Sequence, residues 1–344
     1  MRNRGNCFDI IRHIAALLVL ISHHFVLSGK AEPIIPGYNS LGGIAVISFF
    51  AISGFLITRS FIDSSCLKSY AIKRIARIFP ALIMCAFVMV YVMGSVPAFG
   101  GGASYVTTPR ALIDFLRISV MGRADIQPLT AGLVFSESLN GSLWTLKIEF
   151  ALYCVTALAL VLVRKPLVPL LMILALCVVY SACSASQHPL AAKLAIYSIV
   201  SIAFWTGSLM HFLRQGLYQR STNMLVTIAA LVIMIVAFKV GLTWILATIS
   251  FSLLTLTLGT ILTDRLIKSR FDISYGLYLY AFPIQQLVIN HAGLGFYQSM
   301  LISAVLTTVF ASASWVFVEK PILSYARSKY GSTKLQASEA VAGS

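Results

Sequence analysis

Charge is what this chain has least of. Only 11% of its 344 residues are Asp, Glu, Lys or Arg, and just 11 of them are acidic; soluble domains are about a quarter charged. That scarcity excludes an ordinary soluble globular protein. Metal-ligand patterns are missing as well. No helix carries His and acid pairs in a register that would converge on an ion, so no metal is expected. The six cysteines (Cys7, Cys66, Cys85, Cys154, Cys177 and Cys183) are scattered without a CxxC pair, and four fall in apolar runs. They read as small buried hydrophobes rather than as disulfides or ligands. No basic soluble module turns the net charge of +15 toward nucleic acid. No internal repeat is visible. The first apolar stretch is too long and too charged for a cleavable signal peptide.

What the chain has is apolar length. It is 58% hydrophobic with a mean hydropathy of +0.88. Ten stretches approach the roughly 20 residues that cross a bilayer: 10–28, 41–62, 77–95, 143–163, 167–185, 194–213, 223–239, 242–263, 274–293 and 297–318. The expected fold is an all-α integral membrane protein, a single membrane domain over 1–330 with a small polar tail, 331–344, expected to be disordered. With the N-terminus placed in the cytoplasm, eighteen of the 26 Lys and Arg fall in inner segments and six in outer ones, as the positive-inside rule requires. Arg2, Arg4, Arg265, Lys268, Arg270 and Lys334 belong to the eighteen. Both termini are then cytoplasmic. The long loop, 96–142, is outer. Its apolar stretch Ala111–Met121 is too short to span and suits an interfacial or re-entrant helix. A loop of this length in a compact domain is read as part of the mouth of a site.

Ionisable groups inside spans are costly and mark function by default. The first span, FDIIRHIAALLVLISHHFVLSG, holds Asp9, Arg12 and His13 at one end and His23 and His24 at the other. Arg12 and His23 are 11 residues apart, three turns plus roughly 20°, so they share a face about 16 Å apart; His13 and His24 point elsewhere. Glu149, in SLWTLKIEFALYC, is the one acid well inside a span. It lies at a depth comparable to His23. A carboxylate and an imidazole at one level form a general-base pair. An ion pair with Lys147 or an arginine explains Glu149 equally well. Arg74 and Arg77, three apart in SYAIKRIARIFP, form one cationic edge fit either to grip phosphates or to anchor on anionic lipid heads. Ser53 and Gly54, in FFAISGFLI, are small enough for close helix packing or for lining a tunnel. No GxSxG elbow surrounds Ser53.

Several stretches together resemble the acyltransferase-3 family of bacterial integral-membrane O-acyltransferases. They are the opening FDIIRHIAALLVLISHH, FFAISGFLI at 49–57, KRIARIFP at 73–80, LWTLKIEFALY at 143–153, ISYGLYLYAFP at 273–283 and FVEKP at 317–321. Six elements in order, over residues 6–325, make a specific match. One departure stands out: many members carry a histidine where this chain has Ala281.

The resemblance implies a multi-pass enzyme of the bacterial inner (cytoplasmic) membrane. It would move an acyl group, by family default acetyl, from cytoplasmic acyl-coenzyme A to a hydroxyl of an extracytoplasmic sugar in O-antigen, capsule or exopolysaccharide. Acetyl-CoA is then a donor substrate; no bound cofactor is implied. His23 is expected to be essential as general base or acyl carrier, oriented by Glu149 or Asp9. Asp9 is expected to pair with Arg12 more readily than to reach His23. Arg12, Arg74 and Arg77 are expected to serve the donor. Ser53 and Tyr275 are candidate tunnel-lining residues, with Ser53 also a candidate donor to the thioester oxygen. The rival reading is a transporter or flippase for a lipid-linked sugar or small solute, although paired Gly/Pro-broken helices are not seen.

Overall fold

A computed structural model describes residues 6–240, 243–264, 267 and 271–330. The tail from 331 and the basic residues Arg2, Arg4, Arg265, Lys268, Arg270 and Lys334 lie outside the described residues. The helices are α1 (Phe8–Leu27), α2 (Leu41–Ile62), α3 (Leu67–Phe87), α4 (Pro109–Ser119), α5 (Trp144–Leu162), α6 (Leu167–Ser184), α7 (Pro189–Phe212), α8 (Arg220–Val240), α9 (Thr243–Ile261), α10 (Ser274–His291), α11 (Phe296–Ser314) and α12 (Lys320–Tyr330). Their starts follow local chemistry. Ser40 and Thr108 accept the backbone N–H of Gly43 (3.0 Å) and Ala111 (3.3 Å) at the heads of α2 and α4, which satisfies groups that have no partner within the helix. Cys66 caps α3 in the same way through Ser69 N–H, and that bond holds its exposed thiol below the usual thiol range.

Among the described residues nine helical stretches are long and apolar enough to cross a membrane. The ninth expected span, 274–293, is α10, which is helical for 18 residues but falls short in hydropathy. The reason is burial: fourteen of its residues are enclosed by protein, including three tyrosines, Gln285 and Gln286. A helix walled by protein need not be apolar all round. Two boundaries also move. The third span begins at Leu67 and runs to Met93, ending in a π-helical turn, so Arg74 and Arg77 lie within one helix. The last runs from Phe296 to Tyr330. It passes through a π turn at Trp315–Glu319, two residues before Pro321. Proline removes a helical hydrogen bond and crowds the preceding turn, and the wider turn accommodates it without ending the helix.

The chain divides into two compact units. One comprises the described residues of 1–19, 33–63 and 148–270; the other comprises those of 20–32, 64–147 and 271–344. In the first, α2 and α7 cross at contact distance through paired glycines. A Cβ on Gly54 would lie 1.8 Å from the carbonyl oxygen of Phe204, and one on Gly207 would lie 1.9 Å from that of Ala51. Close packing is thus the role of Gly54. Gly54→Val is expected to force these backbones apart at a cost of about 3 kcal/mol or more, read as a lower melting point of the detergent-solubilised chain. In the second unit, α10 is held against α3 and α11.

Candidate active site

His23 lies near the end of α1 that belongs to the second unit. Its ring meets Phe282 of α10 edge-on, with centroids 5.2 Å apart. Phe282 in turn rests on Phe135 and closes over Gly141, where a Cβ would come within 2.8 Å of the ring. This aromatic floor fixes the imidazole plane. Its Nδ1 is buried without a hydrogen-bond partner among the described residues. Ala281, where a histidine is common in the resembled family, is buried and brings no polar group. Next to His23, Ser22 donates to a carboxylate oxygen of Glu32, whose charge acts on the imidazole. Glu32 was not singled out from the sequence, because nothing in its spacing marks it.

His24 makes the opposite case. It is wholly buried and both nitrogens are committed. Gln285 Nε2 donates to the carbonyl of Leu20 at 2.8 Å, which fixes the orientation of the amide, and faces His24 Nδ1 at 3.2 Å. Nδ1 is therefore the acceptor and Nε2 carries the proton, directed at Phe296 O and Ser299 Oγ, both at 3.1 Å. A ring locked as a neutral tautomer in this way joins α1, α10 and α11.

Glu149 belongs to the first unit, and hydroxyls surround it where the sequence left a cation as one alternative. Its Oε1 accepts from Ser53 Oγ at 2.8 Å and from Tyr153 OH at 2.6 Å. It forms no ion pair with Lys147 or any other cation among the described residues. The single proton of Ser53 is thereby directed at Glu149, so Ser53 is not arranged to donate to a thioester oxygen. Tyr153 was missed in the sequence, yet its signal was present: it stands four residues after Glu149 on one helix.

Arg77 faces carboxylates. Its Nη2 lies 2.7 Å from Asp272 Oδ2, and its Nη1 lies 3.8 Å from Glu319 Oε2. The ring of Tyr275 lies beneath the guanidinium at 5.5 Å. Asp272 also accepts from Ser274, and Glu319 from Ser314. The charge of this guanidinium is compensated by two buried carboxylates. Tyr275 donates its hydroxyl to Ile78 O at 2.9 Å and braces α10 on α3. Arg74, one turn before Arg77, is half-buried. Asp9 and Arg12 share the first turns of α1 in the first unit. Asp9 precedes His23 by 14 residues of one uninterrupted helix, about 21 Å of rise, so Asp9 cannot orient that imidazole. Among the described residues no group of three or more His, Cys, Asp or Glu side chains is arranged to hold a metal.

A family model described as an acyltransferase domain matches residues 6–319. An O-acetyl transferase of Shigella phage Sf6 is 37% identical over 334 residues, covering 93% of this chain and 97% of that protein. Nodulation protein 10 of Rhizobium leguminosarum bv. viciae is 26% identical over 353 residues, covering 92% of this chain and 93% of that protein. No solved structure matches the chain.

Proposed function

The chain belongs to the acyltransferase-3 family and is an acyltransferase, and from that premise we propose that it is a membrane O-acetyltransferase. It takes acetyl from cytoplasmic acetyl-CoA and delivers it to a sugar hydroxyl of an extracytoplasmic glycan. The chain sits in the bacterial cytoplasmic membrane with both termini inside, the orientation favoured by its basic loops. The similarity to a phage O-acetyl transferase supports the acetyl and oxygen parts of this reading.

The observation that carries the chemistry is the contrast between neighbouring histidines. His24 has both nitrogens tied, whereas the imidazole of His23 is held by aromatic packing alone, its Nδ1 without a hydrogen bond among the described residues. A base must have a nitrogen available to the proton that it takes. His23 removes the hydroxyl proton as the oxygen attacks the thioester carbonyl, and coenzyme A leaves as the thiol. Arg74 neutralises donor phosphates. Glu149, held by Ser53 and Tyr153, is the carboxylate of the functional set.

The test is transfer itself. Purified chain in vesicles, given acetyl-CoA labelled in the acetyl group and a cell-surface glycan, is expected to move label onto the glycan, removable by mild base as an ester. The glycan mass should rise by whole acetyl groups. Glycan crossing the vesicle membrane without covalent change would overturn the reading.

A further inference from the structure

Helix α4, inside the long loop 96–142, is built inside out. Leu112, Ile113, Leu116 and Val120 form a helical stripe and are 51–68% exposed. On the opposite side Asp114 is wholly buried. It is bonded there by Tyr105 OH at 3.1 Å and by Arg117 Nη2 at 2.8 Å, and Arg110 Nε closes on it at 3.2 Å. A surface helix in water turns its apolar stripe to the protein and its charges out; this one does the reverse.

We propose that α4 is seated in the bilayer, with the face of Leu112, Ile113, Leu116 and Val120 covered by lipid acyl chains. Three features select lipid as the occupant. The first is continuity. α4 packs along α3 through a ladder of Phe115, Tyr91 and Phe87, and α3 is a membrane span whose Ile83, Met84 and Phe87 are exposed alongside. The second is size. Eleven residues make a helix about 16 Å long, too short to cross and suited to one leaflet. One face of such a helix offers far less than the roughly 800 Å² per partner of a stable protein interface, which disfavours a second copy. The third is charge. Arg110, 57% exposed, stands at the start of the helix, where a long basic side chain reaches the anionic headgroup level while its stem stays in apolar surroundings. The loop is thus in part a membrane element and not a flap in water.

The experiment uses the full chain in vesicles of phosphatidylethanolamine and phosphatidylglycerol. Cys66, Cys154, Cys177 and Cys183 are replaced by serine, and single bimane-labelled cysteines are placed at Leu112, Ile113, Leu116 and Val120. Glu137→Cys, exposed in the same loop, and Ile118→Cys, on the buried face, serve as references. Acyl-chain-brominated lipid is expected to quench all four stripe positions while aqueous iodide does not; Glu137 should show the reverse, and Ile118 should resist both. Iodide quenching along the stripe would overturn the proposal. So would shielding of the stripe from both quenchers, the result expected for a second copy or another protein. Hydroxyl-radical footprinting of the unsubstituted chain in the same vesicles checks the outcome without any substitution. Leu112, Ile113 and Leu116 should stay unoxidised, and their oxidation would equally overturn it.

Discussion

His23→Ala is expected to abolish acyl transfer while leaving the amount of folded protein in the membrane unchanged. Loss of a general base costs about 10²–10⁴ in rate, and loss of a covalent carrier costs more. The stability side follows from the contacts. The His23 ring gives up an edge contact with Phe282 and no hydrogen bond, so alanine strands no polar partner. His24→Ala should behave oppositely. It leaves the second donor of the Gln285 amide without its acceptor in a buried place, at about 1–3 kcal/mol. Folded yield then falls, and activity falls in proportion. The decisive measurement is label transfer per mole of folded protein for the two variants. Near-normal specific activity in His23→Ala, or a His24→Ala chain that is well folded and dead, would remove His23 from the centre of the mechanism.

The membrane class and nine of the spans were legible because they depend on short-range facts: apolar length and local charge. What was hidden depended on tertiary partners. Nothing in KRIARIFP tells whether a guanidinium edge faces a phosphate or a carboxylate, because Asp272 and Glu319 lie about 200 residues or more away in sequence. Glu319 was within a noted motif, FVEKP, yet a glutamate beside a lysine reads as solvent-facing until a π turn before Pro321 is seen to carry it into the interior. Glu149 shows the intermediate case. Its burial was readable from its place in an apolar run. Its hydroxyl partners were half readable, since Tyr153 follows by one turn, whereas Ser53 comes from another helix. Helix α10 was readable by its length although its hydropathy is low, because burial within protein lets Gln285 and Gln286 occupy a spanning-length helix. The apolar stretch of α4 was visible as too short to span, but which way its stripe faces is a fact of packing against α3.

Arg77→Ala is expected to deplete folded protein, whereas Arg74→Ala is expected to raise the KM for the acyl donor. Arg77 is the cation between two carboxylates, with side-chain exposures of 16% for Arg77, 11% for Asp272 and 2% for Glu319. Removing one member of a buried ion pair leaves an uncompensated charge and costs about 3–5 kcal/mol. Domains are stable by only about 5–15 kcal/mol in total, so the variant should melt far below the parent or fail to accumulate. Removing all the charges together should be much milder, because the desolvation cost that the pairing offsets disappears as well. The combination Arg77→Met, Asp272→Asn, Glu319→Gln is therefore expected to recover most of the lost thermal stability, measured by fluorescence-detected size exclusion after heating. A phosphate-binding Arg77 would give another pattern: Arg77→Ala stable with a raised donor KM, and no gain from neutralising Asp272 and Glu319. The same series tests whether Arg77 supports α3 against α10 and the turn before α12 or serves the donor.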